Sequence, residues 1–145
     1  MNGIHGPDFS MIQGICPAGW HVQTDKEWKT LEMYLGMSLV EANKIEEWRG
    51  TDEGGKLKET WIKHWVWPNS GATNESGFTA LPGGGRSYEG FSYWIQLEGR
   101  WWTATPYGGT GNVKYVYRGL EWGNPRIYRD LTDRGFAFSV RCLKN

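Results

Sequence analysis

The stretch Ile15-Cys16-Pro17-Ala18-Gly19-Trp20-His21-Val22-Gln23-Thr24-Asp25-Lys26-Glu27-Trp28 decides the fold class. Its first half is a Pro-Ala-Gly turn feeding an alternating Trp20/Val22 pair, the pattern of a short half-buried strand. Its second half is a capping box, in which the Thr24 hydroxyl satisfies the Glu27 amide and the Glu27 carboxylate reaches back. The helix that follows carries Trp28, Leu31 and Leu35 as an apolar stripe and ends at Gly36. A second box, Ser38-Leu39-Val40-Glu41, predicts another helix with Ala42, Ile45 and Trp48 on one side, stopped at Gly50. Of the tryptophans, Trp20, Trp28, Trp48, Trp101 and Trp102 are assigned to the core.

Upstream, residues 1–14 hold Gly3, Gly6, Pro7 and Gly14 with little periodicity and read as an irregular arm before one domain over 15–145. Downstream of Thr51 the chain breaks into short segments punctuated by Gly, Pro, Asn and Ser, with no helical run of comparable quality. The segment 61–67 is compatible with a helical turn or an extended stretch. Period-two runs at 93–97, 100–104, 114–120, 126–128 and 136–142 predict an antiparallel meander. Two early helices packed on a short-stranded twisted antiparallel sheet with long Gly-rich loops make an α+β fold.

Composition narrows the function. A chain of 145 residues fits one domain. Its 16 basic and 16 acidic residues give no field for phosphate neutralisation, so nucleic acid is not an expected partner. No stretch approaches the ~20 apolar residues of a membrane span, so no membrane insertion is expected. Met1 to Ser10 lacks a signal pattern, so a leader or anchor is expected to be absent from this chain. Ten Trp, seven Tyr and 21 Gly are the distinctive figures: aromatic packing replaces aliphatic periodicity. The spacing of Cys16 and Cys142 excludes CxxC redox chemistry and a zinc knuckle. It leaves open a disulfide joining the chain ends, as in an extracellular domain, or two buried thiols.

Longer motifs carry a family resemblance. Residues 15–22, then Thr24 with Glu27-Trp28, Gly54-Gly55-Lys56-Leu57-Lys58-Glu59-Thr60, the run from Asn69 to Gly84, Trp101-Trp102-Thr103-Ala104-Thr105 and Phe138-Ser139-Val140-Arg141-Cys142 follow one another in the order of a known pattern. Over roughly residues 15–143 the chain resembles the Fibrobacter succinogenes major paralogous domain family. The resemblance implies a C-type-lectin-like fold, in the variety shared with formylglycine-generating enzymes, and an extracellular protein of the bacterial cell surface or the virion. It implies that the chain ends pair as adjacent strands, Trp20-His21-Val22 against Ser139-Val140-Arg141, which would bring Cys16 near Cys142. The same fold carries the variable receptor-binding proteins of diversity-generating retroelements in phages and bacteria, with variable residues in the last strands and loops. Between Tyr117 and Phe136 the family roles fall to Arg118, Leu120, Ile127, Arg129 and Arg134, with the three arginines as scaffold. Phe136-Ala137-Phe138 departs from the family pattern, which places a Gly before the Phe.

For chemistry the sequence offers little. The histidines His5, His21 and His64 lack ligand spacing. Formylglycine-type chemistry needs a reactive thiol pair, which Cys16 and Cys142 do not advertise. Asn69, Asn74 and Glu75 supply hard oxygen donors for a structural calcium, against the reading of a loop whose Asn side chains bond the backbone. No other cofactor is expected. Tyr107, Tyr115, Trp122, Arg126 and Tyr128 lie among Glu121, Asn124, Asp130, Thr132 and Asp133, a composition like that of binding paratopes. The expected function is therefore a non-catalytic module that binds a cell-surface protein or glycan through these residues. The alternatives are a structural or adhesive surface domain and an enzyme with an unreadable cleft.

Overall fold

The computed structural model describes residues 12–109, 111 and 113–145. The arm expected over 1–14 lies, up to residue 11, outside the described residues. The capping box forms as read: Thr24 precedes α1 (Asp25–Tyr34), its hydroxyl accepts from the Glu27 amide, and Glu27 accepts from the Thr24 amide at 2.8 Å. The short strand before it, β1 (Trp20–Val22), pairs antiparallel with β8 (Cys142–Lys144). The register is Trp20 to Lys144 and Val22 to Cys142, three residues beyond the expected partners 139–141. Ser139 bridges Trp101 instead. Cys16 and Cys142 form a disulfide with Cα atoms 5.7 Å apart, tying the strand pair together.

The second helix is shorter than its sequence pattern. α2 spans Leu39–Asn43, and Ile45 and Trp48 are not on it. Trp48 lies on β2 (Glu47–Arg49). Tertiary hydrogen bonding ends the helix: Arg49 takes the Ala42 carbonyl at 3.0 Å, and Arg129 takes those of Asn43 and Lys44 at 3.1 and 2.9 Å. Cationic donors at a helix C-terminus satisfy its last carbonyls and its dipole. A third helix, α3 (Glu53–Leu57), occupies a stretch with no helical signal, because Gly54 and Gly55 argue against one. Both glycines are required by close approach. A methyl group at Gly54 would collide with the Arg126 carbonyl, and one at Gly55 with the Gly71 carbonyl.

Two short strands, β3 (Gly85–Arg86) and β4 (Ser92–Tyr93), pair with each other. The main sheet is antiparallel in the order β2-β7-β6-β5, with β5 at Glu98–Tyr107, β6 at Lys114–Glu121 and β7 at Asn124–Thr132. Mixed helices and antiparallel sheets make the fold α+β. The inner face of the main sheet buries Trp101, Leu120 and Ile127 against Trp28, Leu57, Trp65 and Phe78. Trp28 lies 5.4 Å from Phe78 and 6.4 Å from Trp101, ring centre to ring centre. Removing a buried aromatic of this kind costs about 3–5 kcal/mol.

Charge is buried beside this aromatic core. The Glu32 carboxylate receives both terminal nitrogens of Arg49, at 3.0 and 2.7 Å, and the Arg118 Nε. Asp25 receives Arg129 through two bonds of 2.8 Å, and Arg118 Nη1 sits 2.8 Å from its Oδ1 as an ion contact, not an aligned hydrogen bond. Burial pushes the Asp25 carboxyl up, but the Arg129 hydrogen bonds and the charges of Arg118 and Arg129 outweigh it. The carboxyl is held well below the usual range. Helix α1 is thereby fixed to β2, β6 and β7 by three guanidiniums, which sets the sheet whose opposite face is open.

Candidate ligand-binding face

Strand alternation divides β6 into two sets. Val116, Arg118 and Leu120 point to the core; Tyr115, Tyr117, Gly119 and Glu121 point to the other face, where Tyr117 is itself buried, with Phe138 5.1 Å and Arg100 5.5 Å from its ring. The register carries the outward set across the sheet. Tyr115 faces Thr132, Tyr117 faces Asp130 and Trp102, and Gly119 faces Tyr128 and Arg100, while Trp48 on β2 faces Tyr128. One surface therefore brings Tyr115, Tyr128, Asp130 and Thr132 together, as four of the sequence-selected residues, with Trp48, Arg100, Trp102 and Tyr117.

A cleft of about 310 Å³ opens on this face over Gly119. Trp48 lies 5.2 Å from Tyr128, and Tyr117 lies 6.4 Å from Tyr128 on the other side. The Tyr117 hydroxyl donates to Asp130 Oδ2 at 3.3 Å, and the Leu131 amide donates to Oδ1 at 2.7 Å. At the far wall Arg100 pairs with Glu98 at 2.9 Å and lies over Trp94 at 4.2 Å and Tyr117 at 5.5 Å. Burial raises the Tyr117 and Tyr128 hydroxyls above their ordinary range, so both rings stay neutral. Beside the cleft, Trp102 packs on Phe138 in a tilted pair at 4.7 Å, and Arg134 lies over Tyr115 at 5.4 Å.

The other selected residues fall elsewhere. Tyr107 is exposed at the end of β5, and Asp133 caps the turn past β7 by accepting from the Gly135 amide. Glu121 and Asn124 close the β6–β7 hairpin. Arg126 is exposed and lines a separate charged cavity of about 570 Å³ on the far side of Trp48. Trp122, in the hairpin turn, packs inward against the core cluster, and its amide donates to the Leu97 carbonyl. Arg118 and Arg129 pair with buried carboxylates, whereas Arg134 is exposed.

Among the tryptophans assigned to the core, Trp28 and Trp101 are buried, Trp20 is exposed, and Trp48 and Trp102 are half-buried on the outer face. The signal for Trp102 is the alternation Glu98, Arg100, Trp102 against Gly99, Trp101, Thr103, which separates two faces. Segment 61–67 is irregular. It buries Trp65, whose indole donates to the Ala80 carbonyl, and exposes Trp61 and Trp67 at 83% and 77%.

Two further places were candidates. Asn69 donates to the carbonyls of Glu59 and Trp61, Asn74 bonds Thr79 through both ends of its amide, and Glu75 is exposed. Among the described residues no group of three His, Cys, Asp or Glu is placed to hold a metal ion. A larger trough of about 600 Å³ lies between α1 and β8, but its carboxylate, Glu27, is already committed to Thr24 and His21. No helix among the described residues is long and apolar enough to cross a membrane.

The model of the Fibrobacter succinogenes major domain matches residues 8–144. The chain belongs to that family. No curated protein and no solved structure matches it significantly. In this Fibrobacter succinogenes major domain, the motif Gly54-Gly55-Lys56-Leu57-Lys58 builds α3 and then buries Lys58. The Lys58 ammonium donates to the carbonyls of Ser70, Glu121 and Asn124 and so holds the hairpin that carries the outer face.

Proposed function

We propose that this Fibrobacter succinogenes major domain is a non-catalytic recognition module, of the C-type-lectin kind, that binds a cell-surface protein or glycan through the outer face of its four-stranded sheet. The observation that carries the reading is the open face itself. Its aromatic, acidic and guanidinium side chains stand on a sheet whose other side is fixed by the aromatic core and the buried ion network. Aromatic and arginine side chains on a rigid frame bury large area at small entropic cost, which is the composition of binding hot spots. The paired chain ends, β1 with β8, support the lectin-like assignment, and the disulfide supports an oxidising, extracellular setting. His21, His64 and both cysteines are engaged with Glu27, Glu59 and each other, which favours binding over catalysis.

The test is an array of defined glycans and of purified surface proteins, probed with the wild-type chain and with Tyr128→Ala and Asp130→Ala. Binding to at least one array member, lost in both variants while each keeps stability within about 1–2 kcal/mol, is the expected result. Array binding that survives both substitutions would place the ligand elsewhere.

A further inference from the structure

We infer that the cleft over Gly119 is a receptor for a guanidinium group, that is, for an arginine side chain presented by a protein partner. The inference rests on the outer face being the binding surface and names the chemistry of its deepest point. Asp130 is half-buried, and among the described residues no cation lies within ion-pair distance of it. Its two oxygens accept from the Tyr117 hydroxyl and the Leu131 amide. A carboxylate offers about four lone-pair sites, and the Tyr128 hydroxyl also draws on this one, so roughly one remains for a donor entering from the cleft.

The walls suit the same ligand. Trp48, Tyr117 and Tyr128 line the cleft; the buried Tyr117 ring already carries Arg100 at 5.5 Å, so Trp48 and Tyr128 are the rings left to a ligand, and a planar cation gains from lying over such rings when water is displaced. Arg100 already uses this chemistry at the cleft's far wall, over Trp94 at 4.2 Å and Tyr117 at 5.5 Å and paired with Glu98. That pairing cancels the Arg100 charge, so the lining carries Glu98 and Asp130 against Arg100, one negative charge in excess. Gly119 provides a floor without a side chain, and about 310 Å³ is the lower end of the size range of ligand pockets. A guanidinium matches the site better than a quaternary ammonium, because it brings a planar fork of donors to a carboxylate as well as a face to the rings.

The experiment is an amide-resolved NMR titration of the whole chain with N-acetyl-argininamide, with N-acetyl-citrullinamide as the neutral isostere and methyl α-glucoside as the sugar probe. The arginine probe is expected to shift the Gly119, Tyr128 and Asp130 amides. The citrulline probe, and the arginine probe on Asp130→Asn, should each bind at least about tenfold more weakly, the loss that follows removal of one charge-assisted hydrogen bond. Equal binding of arginine and citrulline, or an unchanged affinity in Asp130→Asn, overturns the inference. Glucoside shifts at these amides with a silent arginine probe overturn it too but leave the binding face intact. Silence of all three probes together with an array that shows no ligand removes both.

Discussion

Trp122 and Tyr128 are near neighbours in sequence and alike in composition, yet they have opposite surroundings. Trp122 packs on the core cluster, and Tyr128 stands beside Trp48 on the open face. Trp122→Ala is therefore expected to destabilise the chain by about 3 kcal/mol, within the range for removing a large apolar side chain from packed surroundings. Tyr128→Ala should cost about 1 kcal/mol and abolish ligand capture. Urea unfolding of both variants beside the array assay separates the two roles. Sequence could not tell them apart, because a two-residue hairpin turn shifts the alternation by one and sends Trp122 inward. Lys58 was equally illegible: in a run of charged residues it looks solvated, yet it is fully buried. Burial pushes its ammonium down to about 8, with the Glu121 charge opposing the shift, and it donates to three carbonyls. Lys58→Met leaves those carbonyls without their donor and should cost about 3 kcal/mol, read as a lower urea midpoint with an unchanged slope.

Elements were readable in proportion to how local their causes are. The α1 cap depends on residues three apart, and Thr24 and Glu27 bond each other as read. α2 begins at its Ser38 cap but stops where Arg49 of the next strand and Arg129, far along the chain, claim its carbonyls. α3 was invisible because its glycines serve packing against β7 and the Gly71 loop, at odds with helix propensity. The β1–β8 pair also depends on long-range contact, and its disulfide closes a separation of 126 residues. A loop of that length removes enough freedom from the unfolded chain that the double substitution Cys16→Ser/Cys142→Ser should cost about 4 kcal/mol. Thermal unfolding with and without reductant gives the same comparison on the unaltered chain, and equal melting temperatures would show that the strand pair holds without its covalent link.

At the scale of the molecule, the buried ions make stability depend on pH from two sides. Asp25 has a folded pKa held below its ordinary 3.8 by Arg129 and Arg118, against the opposing effect of burial. A carboxyl of that kind contributes stability that is fully present above 3.8 and is lost as pH falls through the depressed folded value. His21 acts in the opposite direction. Its hydrogen bond to Asn145, and then its bond to Glu27, raise its folded pKa above 6.5, so its contribution is present below 6.5 and is lost as pH rises through the raised value. The chain should therefore be most stable between these limits. Its urea midpoint should fall on both sides, most steeply below pH 4, where α1 loses its hold on β6 and β7. The acid limb is assignable by substitution. Asp25→Asn removes the titrating group, so the variant should be weaker at pH 6 and should decline into acid with a slope shallower by up to about 1.4 kcal/mol per pH unit, the linkage of one proton. An Asp25→Asn curve that runs parallel to wild type from pH 5 to pH 2 would show that the acid limb belongs to other carboxylates and that the Asp25 pairs do not anchor the helix to the sheet.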